Sequence, residues 1–504
     1  MLTKIMSCAV IGLDGKAITI EVDVSSGYPT FIVVGLPDKS VDESRQRIPT
    51  AIRNSGFDYP FSKKIVVNLA PADLKKEGAS YDLPIAIGIL VSSEHIIGSL
   101  EGTVFIGELA LDGSLRPTKG ILPVALWARD AGYSQVFVPH SNAAEASVVS
   151  GINIVPVETL AQLAAHLNGQ FVISPLRAQA PKASKQQEST TDMSYISGQE
   201  HAKRALEIAA AGSHNIIMSG PPGSGKTMLS NAIVSILPEM TFEEQIEVTK
   251  IYSIAGALLP DTPLVTTRPF RSPHHTASGI ALVGGGVFPR PGEISLAHRG
   301  ILFLDEFPEF SRRVLENLRQ PLEDGKITVS RALGSFTFPA RFVLVASLNP
   351  CPCGFLGDNE KDCVCTQAQI IKYKNKISGP ISDRIDLHVE VPRMPFEKLE
   401  ATGAHTSDYI RRRVNSARSL QQERLKKHGL FTNNEMTAQL VREICVLSHD
   451  SRNLIRQAVD SLHLSARSFH RILKVSRTIA DLEGVSNITQ SHIAEALQYR
   501  PKEE

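Results

Sequence analysis

Apolar and polar residues alternate one for one between Ala17 and Val24: Ile18, Ile20, Val22 and Val24 fall on one side, Thr19, Glu21 and Asp23 on the other. A period of two predicts a strand with one buried face. Phe31–Val34 and Lys64–Asn68 predict further strands, Asp82–Val91 a buried helix, and Val104–Leu109 with Gly113 and Leu115 a hairpin. A helix over Ile121–Ala131, strands over Gln135–Val138 and Ile152–Pro156, and a helix over Leu160–Leu167 complete this region. Farther on, the apolar runs in Asn215–Ser219, Ile301–Leu304 and Phe342–Leu348 are unbroken. Strands apolar on both faces belong to a parallel sheet covered by helices. Gly198–Ala211 and Met228–Leu237 supply such helices. Thr406–His428 predicts a long polar helix with Thr406, Ser407 or Asp408 as N-cap and Gly429 beyond its end. From Met436 to Tyr499 the period is helical, with Leu440, Ile444, Leu447, Ile472, Val475 and Ile479 as the core faces of a small bundle.

These patterns divide the 504 residues into an α/β domain over 1–173, a linker over 174–193, a second α/β core over 194–395 and a helical lid over 396–504. A chain of this length exceeds one compact core. The linker stretch Ser174–Thr191 is rich in Pro, Ala, Ser, Lys and Gln and has no hydrophobic period. Composition is that of a soluble globular chain, and a net charge of +1 confines any nucleic-acid contact to local patches. No apolar run reaches membrane-spanning length, and Met1–Val10 lacks signal-peptide architecture. A cytoplasmic location without a membrane partner is expected.

The candidate chemistry centres on Gly220-Pro221-Pro222-Gly223-Ser224-Gly225-Lys226-Thr227, which satisfies G-x-x-x-x-G-K-[ST] between a strand and a helix. The glycines let successive N–H groups face phosphate oxygens, and the helix N-terminus adds positive charge there. Lys226 would reach the β- and γ-phosphates and Thr227 would ligate Mg²⁺. The run Ile301–Leu304 ends in two acids, of which Asp305 would hold Mg²⁺ and Glu306 would polarise the attacking water. Asn349, at the end of the next strand, would orient that water or touch the γ-phosphate. Arg384, in SDRIDL, would complete a neighbouring subunit's site as a finger in trans. Its alternative is a local ion network with Asp383 and Asp386. Arg467, opening a helix in LSARSFHRIL, would reach the γ-phosphate from the lid side. ATP and Mg²⁺ are the expected cofactors.

Four of the six cysteines, Cys351, Cys353, Cys363 and Cys365, lie within fifteen residues. Their thiolates would close a tetrahedral structural Zn²⁺ site; a redox pair or four unrelated thiols are the alternatives. The C-x-C spacing departs from the commoner C-x₂-C. Beyond them, Lys372-Tyr373-Lys374-Asn375-Lys376 interleaves basic groups with an aromatic, which suits a nucleic-acid patch or a solvated loop. The Arg411–Arg413 cluster reads as a solvated helix face in preference to a DNA surface.

GPPGSGKT, ILFLDEF, a strand ending in SLNP, and SDRIDL, in this order, resemble the AAA+ ATPases of the helix-2-insert clade. That clade includes the magnesium-chelatase ATPase subunit and the replicative MCM helicases. On this resemblance Arg271–Gly300 is the clade's insert and Glu323–Phe338 its hairpin, both facing the pore of a ring. Arg290 of the insert, with Lys326 and Arg331 of the hairpin, are then the expected DNA contacts. Asn68–Leu90 with Ile106–Leu126 resembles the Lon-protease-like domain. The serine and lysine positions of that family fall at Ile85 and near Leu122, neither of which can act on a carbonyl. A scaffold or docking role is therefore expected, with Ser80 and Lys119 as solvated loop residues.

A Lon-protease-like α/β domain followed by an AAA+ P-loop core and helical lid resembles the YifB/ComM family over nearly the whole chain. The resemblance implies a homo-hexameric ring ATPase and helicase. It would act on branched or single-stranded DNA and promote branch migration in recombination or natural transformation, with recombination proteins as further partners. The ATPase subunit of a metal chelatase and an ATP-driven protein remodeller are the alternatives.

Overall fold

The computed structural model describes residues 2–176, 191–259, 262–286, 289–331, 334–358, 360–395, 405–461 and 464–501. They form two compact units, one from the described residues of 1–184 and 245–265, the other from those of 185–244 and 266–504.

In the first unit, Leu2–Ile11, Asp14–Ser25, Lys64–Ala70 and Thr30–Val34 lie side by side in that order. The first two pairs are antiparallel and the last is parallel. Ile18, Ile20 and Val22 are buried as the alternation predicts. A second sheet joins Thr103–Phe105, Gln135–Pro139 and Asn153–Val157 in parallel. Ile85 and Leu122 are wholly buried core aliphatics. Two elements escape the sequence pattern. In Leu2–Ile11, Ser7 and Cys8 blur the alternation. The helix Lys39–Asn54 is polar and carries Pro49 in its interior. Burial of Val41, Ile48, Ala51 and Ile52 outweighs its low propensity.

Segment 245–265, which the sequence division assigned to the ATPase core, packs in this first unit. Ile246 and Leu264 join the cluster of Ile121, Val124 and Val136. Buried Glu145 accepts from the Ser253 hydroxyl and from the Leu122 N–H at 2.8 Å. The expected linker is also anchored at its flanks. The Leu176 N–H donates to the Ile154 carbonyl at 2.8 Å, and Asp192 caps the turn at Ser194 and accepts from the Ser407 N–H. Residues 177–190, the middle of that stretch, lie outside the described residues.

The second unit is built on five parallel strands in the order Phe270–Arg271, Ile301–Leu304, Val343–Leu348, Ile216–Ser219 and Leu387–Glu390. Their apolar runs are buried on both faces, as helices on either side require. One continuous core links Ile216, Met218 and Val345 of the sheet to Ile410 and Val414 of the helix Ser407–Leu425, and to Ile472 and Ile479 of the helix Ala466–Leu482. Thr406 is the N-cap of the former, its side chain accepting from the Tyr409 N–H. The expected hairpin forms as Lys326–Arg331 against Gly334–Pro339. Within the insert, Gly284–Gly285 pairs with Arg290–Pro291.

Candidate active site

The P-loop leaves the carboxyl end of Ile216–Ser219 between two neighbouring strands. The Gly220 N–H donates to the Leu348 carbonyl at 3.2 Å, and the Val391 N–H donates to the Ser219 carbonyl at 2.7 Å. A Cβ on Gly220 would stand 2.1 Å from the Val391 carbonyl oxygen, so only glycine allows this approach. Gly225, at φ +91°, then turns the chain into the helix Lys226–Ile236. Pro221 and Pro222 carry no N–H and the Ser224 N–H donates to the Pro221 carbonyl at 3.3 Å, so the groups suited to an anion are those where the loop enters the helix, up to Lys226 and Thr227. The Lys226 ammonium donates to the Gly220 and Pro221 carbonyls at 2.7 and 2.9 Å and to Asn349 Oδ1 at 3.3 Å. Burial lowers its pKa, against the charge of Asp305. Asn349 thus reaches the P-loop from the neighbouring strand.

Asp305 lies within reach of the same loop. Its Oδ2 accepts from the Thr227 hydroxyl at 3.1 Å, and its Oδ1 accepts from Ser347 Oγ and from the Glu306 N–H at 3.0 Å. A hydroxyl and a carboxylate converging in this way, with solvent beside them, suit Mg²⁺, which keeps several waters and takes few protein ligands. Glu306 is held in the left-handed region at φ 51°. Its carboxylate lies 3.4 Å from His275 Nδ1. Ser347 and His275 were not singled out by sequence. Ser347 stands two residues before Asn349 in the SLNP signal, while His275 lies near the start of the insert, 31 residues before Glu306 in sequence.

The two arginines lie elsewhere. Arg384 precedes Leu387–Glu390, which runs in register with Ile216–Ser219. Its carbonyl accepts from the side chain of Asn215, the residue before the P-loop strand. Arg384 and the P-loop therefore occupy opposite ends of strands about 13 Å long. The Arg384 guanidinium, 5% exposed, donates to Glu323 and to the Pro380 carbonyl. The alternative Asp383–Arg384–Asp386 network does not form. Asp386 instead lies 3.4 Å from Arg471 and 3.7 Å from His214. Arg467 donates to the same Glu323 at 3.0 Å. Through that carboxylate it joins Arg384.

The four clustered sulfurs all lie within 4.8 Å of one another. Cys351 Sγ is 3.4 Å from Cys353 Sγ and 3.6 Å from Cys363 Sγ, and Cys353 Sγ is 3.6 Å from Cys363 Sγ. Four ligands at about 2.3 Å from a tetrahedral Zn²⁺ stand about 3.8 Å apart, so the spacing fits such an ion. All four thiols are free. The loop they close packs on the nucleotide site, since a Cβ on Gly354 would stand 2.6 Å from Pro222 Cδ.

Of the expected DNA contacts, Arg290 and Lys326 are exposed on their strands, and the side chain of Arg331 lies outside the described residues. In the basic stretch after the cysteines, Lys376 pairs with Glu309 at 3.0 Å. Arg411 and Arg412 pair with Asp408 on their own helix, and Arg413 pairs with the buried carboxylate of Glu207.

Acids and an asparagine delivered to a P-loop from the ends of parallel strands of one sheet are the arrangement of the AAA+ ATPases. Family comparisons agree. A model described as "Magnesium chelatase, subunit ChlI" matches residues 192–399, one for subunit ChlI of Mg-chelatase matches 20–142, and one for the ChlI C-terminal region matches 404–500. The chain is 46% identical to the competence protein ComM of Haemophilus influenzae over 99% of its length and 97% of that protein's. It is 42% identical to YifB of Escherichia coli over 98% of its length and 96% of that protein's. To the magnesium-chelatase 38 kDa subunit of Rhodobacter capsulatus it is 30% identical, over 31% of this chain and 49% of that one. The chain belongs to the YifB/ComM family of magnesium-chelatase-like AAA+ ATPases, whose cofactors are ATP and Mg²⁺. No helix among the described residues is long and apolar enough to cross a membrane.

Proposed function

We propose that this chain hydrolyses MgATP between adjoining copies in a hexameric ring and uses the cycle to move DNA, promoting branch migration during recombination or natural transformation. The observation that carries the reading is the separation of Arg384 and Arg467 from Lys226, Thr227 and Asp305 within one sheet. Arginines set at the far end of the strands can meet a γ-phosphate only on another copy. Lys226 and the P-loop N–H groups would bind the phosphates, Thr227 and Asp305 would hold Mg²⁺, and Glu306 would orient and deprotonate water. Asn349 would fix the γ-phosphate end, and Arg384 and Arg467 would stabilise charge from the next subunit. Held by Thr227 and Asp305, Mg²⁺ would neutralise phosphate charge. Zn²⁺, held by Cys351, Cys353, Cys363 and Cys365, would brace the wall behind Pro222. Arg290, Lys326 and Arg331 would contact DNA.

Similarity to the chelatase subunit favours a second reading, an ATPase that serves metal insertion. ATP turnover measured with forked DNA or with a porphyrin-binding partner separates the two. Stimulation by forked DNA, abolished in Lys226→Ala, is expected; stimulation only by the porphyrin-binding partner would overturn the motor reading.

A further inference from the structure

Arg384 and Arg467 come from different elements, the loop before Leu387–Glu390 and the first turn of Ala466–Leu482, yet both end on one carboxylate. Glu323 Oε2 accepts from Arg384 Nη2, and Oε1 accepts from Arg467 Nη2 at 3.0 Å. Arg384 is almost wholly buried, whereas Glu323 and Arg467 are half exposed, so the bridge opens toward solvent. Two guanidinium groups this close repel each other, and a carboxylate shared between them turns the repulsion into a bridge. Arg384 holds Glu323 below the usual carboxylate range, so the bridge stays charged at neutral pH. Each guanidinium has five N–H donors, of which Glu323 takes one from each. Arg384 Nε has no hydrogen-bond partner among the described residues.

We infer that Glu323 is a positioning residue that holds Arg384 and Arg467 side by side on the face meeting the next subunit, so that both cations reach the γ-phosphate bound there. Glu323 touches no substrate and acts only through the two arginines. Carboxylate length sets their spacing, and charge offsets their repulsion. The inference rests on the reading that copies of this chain hydrolyse ATP between them.

A mixing experiment tests it. Lys226→Ala chains lack a working P-loop but keep their arginines, and Arg384→Ala chains keep the P-loop but lack one arginine. Each is inactive alone on the ring reading, and their mixture recovers turnover at mixed interfaces. Adding Glu323→Ala to the Lys226→Ala chain should cut the recovered kcat at least about tenfold while KM for ATP stays within about twofold. Glu323→Asp should give back part of the loss. Equal or greater recovery with Glu323→Ala would overturn the proposal. No recovery in the parent mixture would overturn the ring reading, and this inference with it. Glu323→Ala in an otherwise unchanged chain should bind a fluorescent ATP analogue at its own P-loop with unaltered affinity, although it melts at a lower temperature because buried Arg384 loses its carboxylate. Loss of that affinity would make Glu323 merely structural and sink the proposal.

Discussion

The Thr227 hydroxyl donates to the Asp305 carboxylate at 3.1 Å, joining the end of the P-loop to a strand that is not its neighbour in the sheet. The strand Val343–Leu348 lies between them and supplies Ser347 to the other carboxylate oxygen. Asp305→Asn removes the charge on which this convergence depends. ATPase activity titrated with Mg²⁺ should show kcat reduced about a hundredfold and a higher Mg²⁺ requirement. Metal-free nucleotide binding should be nearly unchanged. An unaltered Mg²⁺ requirement would remove Asp305 from the metal site.

Glu306 sits in the left-handed region at φ 51° with its carboxylate 3.4 Å from His275 Nδ1, and on the proposed mechanism it acts on water. Steady-state kinetics of Glu306→Gln should show kcat down by about a hundredfold or more with KM little changed. His275→Ala should lower kcat by a smaller factor, because the carboxylate remains and only its orientation is lost. A Glu306→Gln variant with normal turnover would exclude it as the base.

The cysteine cluster should hold one zinc per chain by metal analysis of the purified protein. Because the loop bears on Pro222, Cys363→Ser or a strong chelator should weaken ATP binding as well as release the metal. Release of zinc without any change in nucleotide affinity would confine the ion to a local role.

His388, on the strand beside the P-loop strand, is pulled from its ordinary 6.5 down to about 4 by burial, with the charges of Arg500 and Arg471 adding to it. As pH falls through about 6.5 the unfolded chain takes up this proton while the folded chain resists it. Stability present above that pH is lost progressively toward pH 4. A shift of this size corresponds to about 3 kcal/mol at full effect. Melting curves between pH 7 and pH 5 should therefore fall less steeply for His388→Gln than for the parent. Parallel curves would show that His388 does not titrate across this window.

The P-loop, Asp305, Glu306 and Asn349 could be read in advance because each sits at the end of a strand whose apolar run fixes its position. Adjacency of parallel strands does the rest. The cap at Thr406 and the hairpin from Lys326 were equally local. What was not legible depends on contacts between segments distant in the chain. Nothing near Arg467 points to Glu323, 144 residues away in sequence. His275 meets Glu306 only after the insert has folded back. The packing of Ile246 and Leu264 with Val124 in the first unit likewise contradicts the order of the motifs, since the segment follows the P-loop helix in sequence. Pro49 marks a helix break by propensity, yet its helix survives because one face is buried.

On the proposed reading, ATP hydrolysed between copies of the chain moves DNA. Such movement is tested most directly by following a fluorescently labelled four-way junction mixed with the full-length protein and MgATP. ATP-dependent conversion of the junction to its two product duplexes is expected, absent with ADP and absent for Lys226→Ala. A protein that hydrolyses ATP at full rate in the presence of the junction and leaves it unmoved would contradict it.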